Sequence, residues 1–244
     1  MKIDFHSHFL PGIDDGARTP AESVAILKYL KSCGIRTVCA TPHYSPNHES
    51  VQQFLERRYE AFKTLLHYID GNGVSRDELP KLVPGAEVAL YPRLSEQQGL
   101  EKLCYGDTRF LLLELPFREY EHWESEELYN VMYQFKITPV MAHINRYYKL
   151  FGSEDFSEIF LNDDVILQIN SESALDILNF KKSKKFIKSD LGVVFGCDIH
   201  RSDKIGESGL EKLTSFLAKV PEHRKAELSS LEKYILGSGG QDRG

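Results

Sequence analysis

The chain has 244 residues, 41% hydrophobic and 27% charged, which is the balance of a soluble globular protein with enough apolar material for a sizeable core and no need of disulfides to fold. The formal net charge is −6 at pH 7, and no basic stripe of the extent a nucleic-acid backbone requires is visible, so nucleic acid is set aside as a first partner. The four cysteines (Cys33, Cys39, Cys104 and Cys197) form no CxxC pair, no secretory pattern precedes them, and the longest apolar runs are far too short to span a membrane. The cytoplasm is therefore the expected compartment, without membrane insertion.

Short apolar runs of strand character alternate with segments of helical period. The first strand, Ile3–Phe5, runs into Asp4-Phe5-His6-Ser7-His8, and a loop with Asp14-Asp15-Gly16 follows. Thr19 before Pro20 reads as an N-cap and first helical position, with Glu22 at the third position as in a capping box. Val24, Leu27 and Leu30 recur at helical spacing until Gly34 ends the segment. The remaining strands are expected at Thr37–Ala40, Leu82–Val88, Phe110–Leu115, Ile137–Ala142, Val165–Ile169 and Val193–Gly196. Helices are expected over Glu49–Ile69 and Glu124–Phe135. This alternation implies βα units and a mostly parallel sheet, and the length favours a closed or nearly closed (β/α) barrel over an open sheet. Residues 1–236 are expected to form one domain, with a disordered tail over 237–244.

Metal-ligand residue types gather at the strand ends. His6 and His8 end the first strand, and side chains two apart on an extended chain point the same way. His43 ends the second, Glu87 the third, Glu114 the fourth, His143 the fifth, and Asp198 with His200 the seventh; Asp15 follows in the first loop. In a βα barrel these C-terminal ends converge on one face. Each residue has a plainer reading: Glu114 as the partner of an arginine, Asp198 and His200 as a satisfied polar pair. Their recurrence at one topological place favours a metal centre.

Hard oxygens mixed with imidazoles suit manganese, iron or zinc, and the ligands outnumber what one ion needs, so two or three ions are expected. Such a cluster activates water and clamps the oxygens of a phosphoryl displacement. Arg146, three residues after His143, is placed to grip phosphate; its plainer reading is a surface arginine. Lys181, Lys182, Lys184, Lys185 and Lys188 form the one basic cluster, read as a solvated loop face, with docking of an anionic partner as the alternative. No cysteine has the Cys-x5-Arg spacing of a thiolate phosphatase, and there is no phosphate-binding GxxxxGKS/T loop.

Asp4-Phe5-His6-Ser7-His8, Asp14-Asp15-Gly16, Thr41-Pro42-His43, Gly85-Ala86-Glu87, Glu114, Ala142-His143 with Arg146, and Asp198 with His200 together resemble the PHP (polymerase and histidinol phosphatase) family. The resemblance is to its bacterial protein-tyrosine phosphatase branch, of capsule and exopolysaccharide regulation, and runs in order to about Ser202. It implies a distorted seven-stranded, TIM-like barrel with a trinuclear site, usually active with manganese. One ion would take His6, His8, Glu87 and Asp198, a second Glu87, Glu114 and His143, and a third Asp15, His43 and His200. Arg146 would contact substrate phosphate, and attack would come from a metal-bridging hydroxide. The partner implied is a phosphotyrosine protein, a bacterial tyrosine autokinase; homo-oligomerisation is left open. The alternatives are a small-molecule phosphatase, such as one for histidinol phosphate, and a non-catalytic metal-binding regulator. Where the branch usually carries a second arginine beyond His200, this chain has Ile205, with Arg201 and Lys204 nearby. Cys197 reads as a small buried neighbour, not a nucleophile.

Overall fold

The structure is a computed structural model that describes residues 1–160 and 164–237. Of the expected tail, Gly237 closes the last helix, and 238–244 lie outside the described residues. In chain order the elements are β1 (Ile3–Asp4), α1 (Pro20–Ser32), β2 (Thr37–Ala40), β3 (His43–Tyr44), α2 (Val51–Gly71), β4 (Lys81–Pro84), β5 (Glu87–Ala89), β6 (Phe110–Glu114) and α3 (Trp123–Phe135). They continue with β7 (Thr138–Met141), α4 (Ser153–Phe160), β8 (Ile166–Asn170), α5 (Ile177–Lys188), β9 (Val193–Gly196), α6 (Leu210–Leu217) and α7 (Glu222–Gly237).

Two sheets form, in the orders β1-β2-β4 and β3-β5-β6-β7-β8-β9, and every strand pair is parallel. Bonds from Phe5 N to Phe195 O (3.0 Å) and Asp198 N to His6 O (2.7 Å) join the chain around β1 to the end of β9. The fold is thus mixed α/β with helices between parallel strands.

The expected strand count needs correction, because Leu82–Val88 is not one strand. It divides into β4 and β5, which belong to different sheets. The neighbouring strand divides at the same level: Ala40 pairs with Pro84 before the break, and His43 with Glu87 after it. Pro42 and Pro84 lack the N–H that would continue a ladder, and Gly85 has no side chain to hold one. A Cβ on Gly85 would come within 3.0 Å of Tyr105 and 3.3 Å of Ala40 O, so a side chain at the kink would crowd both.

α1 begins where its cap predicts, and α2, expected from Glu49, begins at Val51 behind a cap of its own. Thr19 Oγ1 accepts from Glu22 N, and Ser50 with Gln53 makes a full capping box for α2. At α1 the reciprocal half is absent: the Glu22 carboxylate accepts from Arg18 N, not from the cap residue. The basic run is likewise corrected from loop to helix. Asp176 caps α5 by accepting from Leu178 N and Asn179 N, and Phe180, Ser183 and Ile187 form its buried stripe, leaving most of the lysines outside.

The strands explain where the site lies. On β6, Leu111 and Leu113 pack into the main core, while Phe110 and Leu112 face Phe5, Val140, Ile166 and Val194 in a second cluster. That second face runs 110, 112, 114 at the two-residue period of a strand, and it turns from apolar to acidic at Glu114. On β8 the same face runs Ile166, Gln168, Asn170. The apolar cluster therefore floors a polar layer made by the strand ends.

Candidate metal centre

Glu87 is the centre of that layer. Its Oε2 lies 3.0 Å from His6 Nε2, 3.2 Å from His8 Nε2 and 3.1 Å from His43 Nδ1. Its Oε1 lies 3.0 Å from His143 Nε2, which is also 3.0 Å from Glu114 Oε1. Asp198 Oδ1 stands 3.5 Å from His6 Nε2, 3.4 Å from His8 Nε2 and 3.4 Å from His200 Nδ1. Asp15 Oδ1 is 3.5 Å from both His43 Nε2 and His200 Nε2. All nine candidate ligands thus converge, from elements far apart in sequence. His6, His8, Glu87 and His143 are fully buried, whereas Asp15, with its side chain 74% exposed, lies at the mouth.

Electrostatics draws positive charge to this cluster. Burial works against a charged His143, yet Glu114 and Glu87 outweigh it and push its pKa up to about 9. His8 is raised well above its ordinary value by Asp14 and Glu87 against the same opposition. Burial would raise Asp198, but His6 and His8 hold it down at about 2. Glu87 and Asp198, both held below the ordinary carboxylate range by the imidazoles around them, stay ionised and need cations beside them.

The donor set fits divalent ions. Glu87 Oε2 makes no aligned hydrogen bond although three imidazole nitrogens lie around it. His6 Nε2 and His8 Nε2 face each other at 3.1 Å. Imidazole nitrogens and carboxylate oxygens that converge in this way are a donor set that a cation could share. Three groups have ligand atoms close enough to share an ion: His8, Asp15, His43 and His200; His6, His8 and Glu87; and His43, Glu87 and Glu114. His8 and His43 therefore each belong to two groups, where the family resemblance implies one ion for each. All the candidate ligands are imidazoles and carboxylates, with no thiolate among them, a set for hard or borderline metals.

Backbone and neighbouring residues aim these ligands. His143 and Asp198 have φ of 31° and 51°, left-handed values that cost a non-glycine residue about 1 kcal/mol or more; each lies two residues beyond the end of its strand, β7 or β9. Asp14, quoted in the motif but given no role, accepts from His8 Nδ1 at 2.8 Å, His43 N at 3.1 Å and Gly16 N at 2.9 Å. It thereby leaves His8 Nε2 facing Glu87. Gly16 is required there because a Cβ would lie 2.1 Å from His8 O. Asp4 Oδ1 accepts from His6 N and Cys197 N, tying the two segments that carry His6 and Asp198; burial pushes its pKa up to about 6.

Arg146 does reach the cluster. Its Nη2 is 2.5 Å from Asp198 Oδ2 and 3.8 Å from Glu172 Oε1. Burial disfavours its charge, but Asp198, Glu172, Glu87 and Glu114 keep its pKa above the ordinary value. Of the two other cations, Arg201 Nε binds Glu22 and Lys204 Nζ binds Glu207. Cys197 is buried, and burial holds its thiol well above the usual range, which suits a packing residue.

Two residues escaped the sequence reading altogether: Gln168 and Asn170, both wholly buried on β8. Gln168 Oε1 contacts His6 Nδ1 and His143 N, and Asn170 Nδ2 donates to Asp198 Oδ2. The signal was present in Ile-Leu-Gln-Ile-Asn, two polar residues two apart on a strand, the same pattern as His6 and His8. Amides are poor metal ligands, so the pattern alone does not mark them as part of a metal site.

Known proteins resemble this chain. Residues 2–228 match the family model for capsular polysaccharide synthesis, CpsB/CapC. The chain is 28% identical over 145 residues to tyrosine-protein phosphatase YwqE of Bacillus subtilis (strain 168), covering 59% of this chain and 54% of that relative's length. It is 26% identical over 206 residues to putative tyrosine-protein phosphatase CapC of Staphylococcus aureus, covering 81% and 76%. It is 29% identical over 219 residues to tyrosine-protein phosphatase CpsB of Streptococcus pneumoniae, covering 82% and 84%. A crystal structure from work on YwqE and CpsB, described as unique metal-dependent tyrosine phosphatases, superimposes with a TM-score of 0.76. It is 22% identical and covers 96% of this chain and 94% of its own, a likeness of fold. The family match runs from before His6 to beyond His200, and so contains every convergent side chain: the chain belongs to the CpsB/CapC family of capsular polysaccharide synthesis.

Proposed function

We propose that this chain is a metal-dependent protein-tyrosine phosphatase acting in capsular or exopolysaccharide synthesis, on a phosphotyrosine protein such as a tyrosine autokinase. The observation that carries the reading is Glu87, a buried carboxylate with one oxygen surrounded by three imidazole nitrogens and no hydrogen bond. His6, His8, Asp15, His43, Glu87, Glu114, His143, Asp198 and His200 would hold two or three divalent ions, manganese first, with iron or zinc as alternatives. Such ions supply an activated water and charge neutralisation for the phosphoryl oxygens.

The chain's own residues do the rest. Arg146 has N–H donors beyond those given to Asp198 and Glu172, and a guanidinium can grip two phosphate oxygens at once. Asp198 holds it in reach of the cluster. A phenolate, with a pKa near 10, leaves far more readily than an alkoxide, which favours aryl over alkyl esters. We read residues 1–236 as a single domain. We read its two sheets as parts of one distorted βα barrel, supported by the β1–β9 hydrogen bonds and by the paired breaks at Pro42 and Pro84. Among the described residues no helix is long and apolar enough to cross a membrane.

The test compares rates on a phosphotyrosine peptide, a phosphoserine peptide and histidinol phosphate, with chelated and manganese-reloaded protein. The expected result is hydrolysis of phosphotyrosine that needs the metal and falls more than about 100-fold in Glu87→Gln. Turnover indifferent to chelation and to Glu87→Gln would overturn the reading. Faster turnover of histidinol phosphate would move the substrate to the small-molecule class.

A further inference from the structure

β8 runs through the sheet beneath the cluster yet none of the candidate ligands lies on it. What it contributes is a chain of hydrogen bonds whose direction can be worked out link by link. The backbone N–H of His143 can only donate, and it lies 2.7 Å from Gln168 Oε1. That settles the orientation of the amide: Oε1 is the acceptor and Nε2 the donor. His6 Nδ1 lies 3.0 Å from the same Oε1, so it must carry the proton. In the neutral ring the lone pair then belongs to His6 Nε2, the atom 3.0 Å from Glu87 Oε2 and 3.5 Å from Asp198 Oδ1.

The other end of the amide continues the sequence. Gln168 Nε2 donates to Asn170 Oδ1 at 2.9 Å. Asn170 Nδ2 must then be its free donor, and it reaches Asp198 Oδ2 at 2.8 Å. Asn145 Oδ1 accepts from Asn170 N at 3.0 Å, fixing the backbone beneath. Asp198 Oδ2 also receives Arg146 Nη2. With two donors on Oδ2, the oxygen left facing the imidazoles is Oδ1, within 3.4–3.5 Å of His6, His8 and His200 nitrogens. Gly196 makes the arrangement possible, since a Cβ there would lie 2.4 Å from His6 Cβ and 2.8 Å from Gln168 Nε2.

We infer that Gln168 and Asn170 are positioning residues for the metal centre, which hold His6 in its Nδ1–H tautomer and confine Asp198 to coordination through Oδ1. One backbone N–H, that of His143, thereby sets the tautomer of His6, just after β1, and the free oxygen of Asp198, just after β9. The inference rests on the metal reading above. A buried amide chain of this kind cannot reverse one link without breaking the next, because each member is already committed as donor or acceptor. The partners that orient a metal-binding histidine commonly change affinity by about 10–100-fold when removed.

The test uses the full-length protein stripped of metal, then titrated with Zn2+, which is diamagnetic and keeps imidazole signals visible. Calorimetry reads affinity and long-range 1H–15N correlation spectra read the His6 tautomer. In the wild type His6 should show a protonated Nδ1. Gln168→Met, which fills the space but accepts nothing, should lose that signature and weaken the tightest zinc site about 10–100-fold. Gln168→Glu, which keeps an acceptor at the Oε1 position, should retain the tautomer and bind more tightly than the Met variant. Asn170→Ala should leave the tautomer in place and still weaken binding through Asp198, which keeps the inference testable if Gln168→Met does not fold. It is overturned if Gln168→Met matches the wild type in both readouts, if the Glu variant binds worse than the Met variant, as a space-filling role requires, or if Asn170→Ala binds normally. A wild type that binds no zinc would instead overturn the metal reading itself.

Discussion

Replacing Glu22 by Gln removes one charge from a junction that joins two site loops. The Glu22 carboxylate accepts from Arg18 N at 2.9 Å, on the loop that carries Asp15, and from Arg201 Nε at 3.0 Å and Ser202 N at 3.1 Å, just beyond His200. Burial acts to raise its pKa, but the backbone donors of Arg18 and Ser202 and the Arg201 guanidinium overcome it and lower the value from 4.5 to about 2. At full strength such a shift corresponds to roughly 3 kcal/mol. The junction is near the surface, where screening weakens ion pairs, so about 1–2 kcal/mol is the expected loss in Glu22→Gln. For a domain of this size that lowers Tm by about 2–8 °C. Because the folded pKa is depressed, the stabilisation is present above pH 4.5 and disappears as the pH falls toward 2. Calorimetric melts of both proteins should therefore differ by a constant amount from pH 6 to 8 and converge below pH 4.5. Equal melts at pH 7, or a gap that persists unchanged into acid, would refute the reasoning.

Gly16→Ala should cost more than a surface substitution, because its Cβ would press within 2.1 Å of His8 O; a Tm and a zinc affinity both equal to wild type would show the loop to be looser than described. Arg146→Lys keeps the charge but not the fork and should raise KM for a phosphotyrosine peptide by roughly tenfold, about 1.4 kcal/mol. An unchanged KM would remove Arg146 from the phosphate site. Chelation should lower Tm by several degrees, since a ligand bound only to the folded state stabilises by about 2.7 kcal/mol at a hundred times its Kd. A melt insensitive to chelator and to added manganese would count against bound ions. Lys181→Glu with Lys185→Glu should raise KM for a phosphorylated protein and leave a small aryl phosphate unaffected; equal effects would end the idea of α5 as a docking face.

The candidate ligands were readable because their chemistry is conspicuous: His, Asp and Glu at the ends of apolar strands have few other reasons to be there. What remained hidden depended on contacts between distant segments. Gln168 and Asn170 look like ordinary polar residues until folding brings them against His6 and Asp198. Asp14 and Asp15 are neighbours of one type, and only the geometry makes Asp14 the orienter of His8 and leaves Asp15 at the mouth. The divided strands escaped because Leu82–Val88 has continuous strand character, whereas the break comes from Pro84 and Gly85 aligning with the Pro42 kink on the neighbouring strand. The lysine run concealed the buried period of Phe180, Ser183 and Ile187, so a helix was read as loop. Glu22 was correctly placed in the first turn of α1, but its carboxylate was taken up by Arg201 and Ser202 instead of the cap.

The central claim is that Glu87 is the hub of a multinuclear metal centre. Anomalous diffraction from crystals of the manganese-loaded protein, recorded above and below the manganese edge, addresses it most directly. The account predicts two or three anomalous peaks within coordination distance of the nine imidazole and carboxylate ligands, at least one of them on Glu87 Oε2. Crystals grown in saturating manganese with no anomalous peak touching Glu87 would contradict it.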